Sequence, residues 1–315
     1  MTTIIDETTR MTPIDLDSDS TAGAAVTAYL REHLHRLRAA ELAVRTAEPG
    51  GVHDMRVAVR RLRSTLRAFR ALYGKAQRNR ARQLGGELKW LSDTLGAARD
   101  AEVIGRQLAA EIAATPSELV LGPVSSVVDR HLARTEATAR TDLLSAVDHP
   151  RYADLLSGLD AFVASPPANG KGGKRGAKVL PPLVAKAYRR ANRAARRAGE
   201  TTGTERDDAL HQVRKAVKRM RYAAEATAPV VGRPAERYRR RSTKVQQVLG
   251  DHHDFVVLRA TLRDLGVQAH LDGTNSFTFG LLHGRIGMAA IQREREFPQL
   301  WHKLASRKAR RWQLG

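Results

Sequence analysis

Hydrophobic residues recur every three or four positions between residues 52 and 69. The recurring residues are Val52, Met55, Val59, Leu62, Leu66 and Phe69. Because an α-helix has about 3.6 residues per turn, this spacing places them in one stripe along a helix. The pattern predicts an amphipathic helix whose apolar side faces the core of a helical bundle.

Basic residues follow the same spacing, shifted by one position. They are His53, Arg56, Arg60, Arg63 and Arg67. The shift corresponds to about 100° around the helix, so these side chains form a second stripe. Like charges one turn apart destabilise a helix by roughly a few tenths of a kcal/mol per pair, and a guanidinium group binds two phosphate oxygens at once. The row therefore indicates a bound anion. A solvated basic face, or arginines paired with glutamates of neighbouring helices, stays open as the alternative.

The second half of the chain repeats this helix. Residues 52–63 align without gaps with residues 210–221, and Leu-Gly-Ala-Ala-Arg-Asp at 95–100 aligns with Leu-Gly-Asp-His-His-Asp at 249–254. The second basic row is His211, Arg214, Lys218 and Arg221, with Glu225 in the fifth place. A weaker match precedes both, in which Arg31, His35 and Arg38 correspond to Arg189, Arg193 and Arg196. Three landmarks in one order predict an internal duplication.

The predicted fold class is all-α, because Ala, Leu and Arg are strong helix formers and alternating β-branched runs are scarce. We expect a flexible segment over residues 1–20, a first helical bundle over 21–164 and a second over 183–315. Residues 165–182, rich in Pro, Gly and Lys, predict an exposed linker between the bundles. The repeat is far longer than that of a solenoid, which favours two related bundles.

Charge indicates the class of partner. The chain has 54 Lys and Arg against 33 Asp and Glu, a net charge of +21 and a sequence pI near 11.1. This balance indicates nucleic acid, an anionic membrane surface or a phosphate polymer. With 0 cysteines, disulfides and cysteine nucleophiles are excluded. The sequence contains neither a signal-peptide pattern nor an apolar membrane span, so we expect a cytoplasmic protein.

Both rows begin with a histidine, which favours a shared role in anion contact for His53 and His211. No metal site is expected, because no His-x-x-x-His or carboxylate partner recurs beside them. Lys89 and Lys244, near the two Leu-Gly turns, are expected to add charge to the same surface. The histidines at 252–253 have no counterpart in the first half, which argues against a metal there too.

The two Leu-Gly-x-x-x-Asp segments predict helix boundaries. Gly96 and Gly250 are expected to end helices, and Asp100 and Asp254 to cap the helices that follow. This places the segments in the architecture rather than in catalysis.

The duplicated His-x-x-Arg helices with their Leu-Gly-x-x-x-Asp segments resemble the CHAD family, the conserved-histidine α-helical domain. The resemblance implies two four-helix bundles related by pseudo-two-fold symmetry, with a basic groove or pore between them. It also implies binding of inorganic polyphosphate and association with polyphosphate granules. By resemblance, His53, Arg56, Arg60, Arg63 and their counterparts His211, Arg214, Lys218, Arg221 line the basic surface, with help from Arg31, Arg38, Arg189, Arg193 and Arg196.

The leading hypothesis is a non-catalytic polyphosphate-binding module without a cofactor, and its oligomeric state stays open. Nucleic-acid binding is the alternative, although no zinc finger, aromatic RNA-binding signature or recognition helix supports it. An enzyme of phosphate metabolism would need a phosphate loop or metal-holding carboxylates, which the sequence does not offer. The family's triphosphate-hydrolase companion needs Glu-x-Glu-x-Lys, whereas residues 294–298 have proline in the lysine place. A membrane-surface role ranks last, because the apolar stripes face bundle cores.

Overall fold

A computed structural model describes residues 16–314, with Arg99 described by its backbone only. Most of the predicted flexible segment, residues 1–15, lies outside the described residues. Its last residues form a hydrogen-bonded turn, in which the carboxylate of Asp17 accepts hydrogen bonds from the backbone N–H groups of Asp19 and Ser20 at 3.0 and 2.8 Å. Thr21 then caps the first helix.

The prediction of an all-α fold is confirmed. Residues 16–314 contain ten α-helices, namely α1 Ala22–Arg45, α2 Gly51–Ala68, α3 Lys75–Ala113, α4 Val124–Asp148, α5 Pro150–Ala164, α6 Gly176–Gly199, α7 Gly203–Val231, α8 Arg233–Leu271, α9 Phe277–Ala305 and α10 Arg307–Arg310. Helix α2 has the predicted apolar stripe, with Met55, Val59 and Leu62 fully buried. None of the described helices is long and apolar enough to cross a membrane.

Each long helix packs against the next one within each half, α1 to α4 and then α6 to α9. Helix α5 packs on α1 and α3, and α2 contacts α7 across the two halves. Helices α1 and α6 both have 24 residues, and α3 and α8 both have 39. The internal duplication itself stays a prediction.

The hydrophobic core does not divide at the boundary between the halves. One cluster of buried residues draws on helices of both halves, including Leu62 of α2 and Val217 of α7. A second, smaller cluster joins Leu108 of α3 and Val124 of α4 to Leu258 of α8. The two halves therefore bury apolar surface against each other, which fixes how α2 and α7 are juxtaposed.

The predicted linker is shorter than residues 165–182, because helix α6 already begins at Gly176 and contains Pro181 and Pro182. Each proline lacks the N–H that would bond one turn back. Leu180, Pro181 and Val184 are nevertheless buried, and this burial offsets the missing hydrogen bonds.

The remaining loop packs on the start of α1 instead of lying free. The N–H of Gly23 donates to the carbonyl of Gly172 at 2.8 Å. A Cβ atom on either Gly23 or Gly172 would come within 2.2 Å of the carbonyl oxygen of Pro167. The glycines of this segment therefore permit a close backbone approach rather than flexibility.

The prediction that Gly96 and Gly250 end helices is wrong. Both lie inside the long helices α3 and α8. A helical glycine costs about 1 kcal/mol relative to alanine, and the buried neighbours Leu95 and Leu249 offset this cost through packing. Asp100 and Asp254 consequently lie within the same helices and do not cap new ones.

Candidate anion-binding site

The two predicted basic rows converge, because α2 and α7 pack against each other. The guanidinium Nε of Arg60 on α2 donates a hydrogen bond to the hydroxyl of Tyr222 on α7 at 3.1 Å. One residue further along, Arg61 of α2 forms an ion pair with Glu225 of α7, with an Nη2–Oε1 distance of 3.0 Å. These contacts hold the basic sides of both helices close together.

Four basic side chains form the centre of the site. We call Arg56 and Arg60 of α2, with Arg214 and Lys218 of α7, the central cluster. Burial lowers the pKa of Lys218 to about 6, and the positive charges of Arg214, Arg60 and Arg56 lower it further. Burial also lowers the pKa of Arg214. The protein thus holds like charges together in a partly dehydrated place, an arrangement that an anion would stabilise.

Two carboxylates orient arginines of the central cluster. Asp100 of α3 accepts a hydrogen bond from Nη1 of Arg56 at 3.0 Å, and Asp254 of α8 lies 3.7 Å from Nη2 of Arg214. These aspartates are the last residues of the two Leu-Gly-x-x-x-Asp segments. The aspartate of each segment therefore orients one arginine, Arg56 in the first half and Arg214 in the second. This contact, and not the predicted helix cap, is what the two aspartates provide.

The histidines that begin the two rows differ in their surroundings. His53 is exposed at the start of α2. The ring of His211 lies on that of His253, with centroids 4.1 Å apart and planes tilted by 37°. Burial lowers the pKa of His211 to about 4, helped by Lys215, Arg214 and Lys218, and burial together with His211 lowers that of His253 to about 3. The repeat assigns no shared role to His253, because its aligned residue in the first half is Arg99 and not a histidine.

His252 points elsewhere, since its buried Nε2 lies 3.3 Å from a carboxylate oxygen of Asp207. Among the described residues, no group of three or more His, Cys, Asp or Glu side chains could hold a metal ion.

Arg221, predicted for the basic surface, lies instead in a nearly buried cluster with Tyr222 and Glu225. Its guanidinium carbon is 4.4 Å from the ring centroid of Tyr222, and its Nη1 is 3.8 Å from Glu225. Burial alone would raise the pKa of Tyr222, but the positive charges of Arg60 and Arg221 lower it below its usual value. Arg221 is held here because Glu225 provides a nearby opposite charge.

The row of α2 continues into a groove of about 590 Å³ between α2 and α3. Its basic lining residues are Arg63, Arg67, Arg70, Lys75, Arg78 and Arg82. No carboxylate lines this groove among the residues that the structure describes. We call it the α2–α3 groove. The sequence pattern predicts only Arg63 and Arg67 of this lining, because the other four bases lie beyond the end of the periodic pattern.

Arg219 of α7 adds charge beside this groove. Burial lowers its pKa, and Arg67, Arg63 and Arg190 lower it further. Sequence reasoning missed Arg219 and Arg190. The sequence contains a signal for both residues. Arg219 aligns with Arg61, which directly follows Arg60 of the first basic row, and Arg190 directly follows the predicted Arg189.

The remaining predicted bases lie outside the central cluster. On α1, Nη2 of Arg31 donates to the carbonyl of Val163 at 2.9 Å, and Arg38 forms an ion pair with Asp160. These two side chains contact α5, which the repeat did not anticipate. Lys89 pairs with Asp93 one turn away at 2.5 Å, with both side chains exposed.

Lys244 lines a different groove, formed by α8 and the residues after Leu300. The bases predicted on α6 are exposed on that helix, namely Arg189, Arg193 and Arg196. For these three bases the shared surface stays a prediction, whereas the contacts of Arg31, Arg38 and Lys244 place those side chains elsewhere.

A family model described as the CHAD domain matches residues 28–263 of the chain. The chain belongs to the CHAD domain family. It is 36% identical over 283 residues to uncharacterized protein Rv2226 of Mycobacterium tuberculosis (strain ATCC 25618 / H37Rv), a match that covers 89% of this chain and 53% of that protein. The chain thus spans about half the length of the curated relatives it matches.

Solved structures support the same CHAD fold. The crystal structure of the CHAD domain from the plant Ricinus communis matches with a TM-score of 0.69 and 24% identity, covering 94% of this chain and 95% of that one. PptA from Streptomyces chartreusis matches with a TM-score of 0.73 and 21% identity, covering 90% of this chain and 100% of that one. At these identities the likeness establishes the fold alone.

Proposed function

We propose that this CHAD domain binds inorganic polyphosphate without chemically altering it. The observation that carries the proposal is the convergence of Arg56 and Arg60 from α2 with Arg214 and Lys218 from α7 in one partly buried cluster. A linear polymer with about one negative charge per phosphate would neutralise this cluster and continue along the α2–α3 groove. The chain would in this way contact several bases at once.

The chemistry of the lining favours phosphate over a generic anion. A guanidinium group binds two phosphate oxygens in parallel, and each charge-assisted hydrogen bond contributes about 1.5–3 kcal/mol. Asp100 and Asp254 hold two guanidinium groups in fixed orientations, which lowers the ordering cost of binding. The α2–α3 groove is concave, and a thin unbranched chain fits it better than a wide duplex does.

A binding role without catalysis is favoured by what the nearby carboxylates do. Asp100 and Asp254 are engaged with arginines of the central cluster, and their position supports orientation of the guanidinium groups. We further propose that polyphosphate binding directs the protein to polyphosphate granules in the cytoplasm.

The test compares long-chain polyphosphate, orthophosphate and duplex DNA at matched phosphate concentration by isothermal titration. We expect tight binding of long-chain polyphosphate, weak binding of orthophosphate, and a steep decrease of affinity with salt. Removing two charges in Arg60→Gln/Lys218→Gln is expected to weaken polyphosphate binding by about 100-fold, corresponding to two charge-assisted hydrogen bonds.

The matched control is Arg134→Gln/Arg140→Gln, which removes the same charge from exposed positions of α4. Its affinity for polyphosphate should stay close to that of the unaltered protein. Equal affinity of the unaltered protein for DNA, or equal losses in both variants, would overturn the proposed function and favour non-specific nucleic-acid binding.

A further inference from the structure

A second basic surface lies where the N-terminal half of α8 meets the end of the chain. We define the α8–α10 surface by six exposed bases, namely Arg237, Arg241 and Lys244 of α8, Lys303 of α9, Lys308 of α10 and Arg311. They line two grooves of about 650 and 590 Å³. Both grooves contain Arg237, Arg241 and Lys308, so the two grooves adjoin and form one track.

The α8–α10 surface faces away from the side of α8 that is turned toward the two rows. The hydrogen bond to Glu236 raises the pKa of Arg239 on α8, and the negative charge of Glu225 on α7 raises it further, so Arg239 lies on the side of α8 that faces α7. Arg237 and Arg241 are each two residues from Arg239, which corresponds to about 200° around a helix. Their side chains therefore project from the opposite face of α8, so this surface is separate from the central cluster.

The positive charges of the α8–α10 surface have no acidic side chains beside them in the two grooves, among the residues that the structure describes. Arg237 and Arg241 are four residues apart on one helix face, and Arg241 and Lys244 are three apart, so their charges repel. Among the described residues that line the two grooves, none is an aspartate or glutamate. The nearby Glu236 bonds Arg239 and Arg240 at 2.6 and 3.0 Å, and the hydrogen bonds from these arginines lower its pKa to about 2.

Aromatic contacts hold the last residues of the chain, and with them their basic side chains, against α8 and α6. The rings of Tyr238 and Trp312 meet edge to face with centroids 5.7 Å apart. The guanidinium of Arg310 lies 4.1 Å from the ring centroid of Tyr188 on α6. The last turns are therefore anchored on both sides, and Lys308 and Arg311 are presented beside Arg237 and Arg241 without a large ordering cost.

We propose that the α8–α10 surface is a second binding site for condensed phosphate, so that one protein molecule holds two polyphosphate segments on opposite faces of α8. This inference rests on the proposed function. The concave track fits an unbranched chain with a charge on every unit, whereas a flat lipid surface would reach only its rim. Two separate sites per molecule would allow the protein to cross-link polyphosphate chains.

The experiment uses the full chain and three variants. Arg237→Gln/Arg241→Gln/Lys308→Gln removes the shared bases of the track. Arg130→Gln/Arg134→Gln/Arg140→Gln removes the same charge from exposed positions of α4 and serves as the matched control. Arg60→Gln/Lys218→Gln disables the central cluster. All six positions of the first two variants are exposed, so both should keep the helical circular dichroism spectrum.

The first readout is the stoichiometry of a short polyphosphate that is unable to span both sites. We expect two bound chains per molecule for the unaltered protein and the control, and one for the track variant. Its remaining affinity should change by less than about twofold, because the sites are separate. The second readout is light scattering with long-chain polyphosphate, which should increase for the unaltered protein and the control and be lost for the track variant.

A stoichiometry of one for the unaltered protein, or equal behaviour of the track variant and its control, would overturn this inference. If the single site is then lost in the central-cluster variant, the proposed function stands alone. No polyphosphate binding by the unaltered protein would overturn both. Binding of phosphatidylserine vesicles that is lost in the track variant, with unchanged polyphosphate stoichiometry, would assign the surface to a membrane and also overturn the inference.

Discussion

Arg61 of α2 and Glu225 of α7 form an ion pair at 3.0 Å, and their aligned counterparts, Arg219 and Arg67, carry like charges. The positive charge of Arg67 is the largest electrostatic contribution that lowers the pKa of Arg219. The aligned positions thus hold an attractive pair at one end of the interface and a repulsive pair at the other. Glu225 neutralises positive charge at the first end, whereas the second end leads into the positive α2–α3 groove. The positive charge of the site therefore continues in one direction only, toward that groove.

The ion pair at the neutralised end is expected to be important for stability. Glu225→Gln leaves Arg61 and Arg221 without their carboxylate while their side chains are only 16% and 11% exposed. Removing one partner of a buried pair costs about 3 kcal/mol, so the midpoint of thermal unfolding should fall.

The control for this change is Glu32→Gln, which removes an exposed pair with Arg36 that contributes at most about 0.5 kcal/mol. An unfolding midpoint of Glu225→Gln that matches this control would show that the pair does not hold α2 and α7 together. Added polyphosphate should restore part of the lost stability, because it supplies negative charge nearby.

The repulsive end should behave in the opposite way. Arg219→Gln removes a positive charge that burial and Arg67 already disfavour, so the free protein should unfold at the same or a higher temperature. Polyphosphate affinity should fall by about tenfold, corresponding to one charge-assisted hydrogen bond. Thermal unfolding and titration calorimetry measure the two effects. Loss of stability without loss of affinity would assign Arg219 a structural role.

Binding should be coupled to proton uptake near neutral pH. The pKa of Lys218 is lowered from 10.5 to about 6 in the folded protein. Between about pH 6 and pH 10.5 the unfolded chain holds a proton on Lys218 that the folded protein does not. The free energy of unfolding should therefore increase with pH between about 6 and 10.5. A bound polyanion favours the charged amine, so affinity should rise as pH falls through this range.

Calorimetry in buffers of different ionisation enthalpy measures this proton uptake. Lys218→Arg provides the matched variant, because arginine stays charged across this range. We expect it to retain binding and to lose the proton uptake near pH 7. Equal proton uptake by both proteins would contradict the assignment to Lys218 and direct attention to His211 and His253, whose pKa values are lowered to about 4 and about 3.

Asp100 provides a test of binding against catalysis. Its carboxylate is 61% exposed and bonds Arg56 at 3.0 Å, so Asp100→Asn should change stability by less than about 1 kcal/mol. The amide oxygen of asparagine can still accept the hydrogen bond from Arg56 and keep its guanidinium oriented. Polyphosphate affinity should therefore increase by a few fold, since only the negative charge beside the polymer is removed. Release of orthophosphate by the unaltered protein that is abolished in this variant would refute a purely binding role.

The helical pattern of α2 was readable from the sequence because burial follows the helical period. Met55, Val59 and Leu62 are buried where the spacing predicts. The same local reasoning predicts helix ends and a linker where glycine or proline interrupts the pattern, and these predictions are wrong. Gly96 and Pro181 weaken a helix in isolation, but packing of long helices overrides those propensities, and α3 and α6 continue through them.

The sequence by itself determined the helical class, the two basic rows and the excess of positive charge, because side-chain periodicity and composition are properties of the chain alone. Only the tertiary structure decided which bases meet. The packing of α2 on α7 brings Arg60 to Lys218 and leaves Arg38 with Asp160 on α5. Electrostatic interactions depend on distances between segments far apart in the chain, and no local pattern encodes those distances.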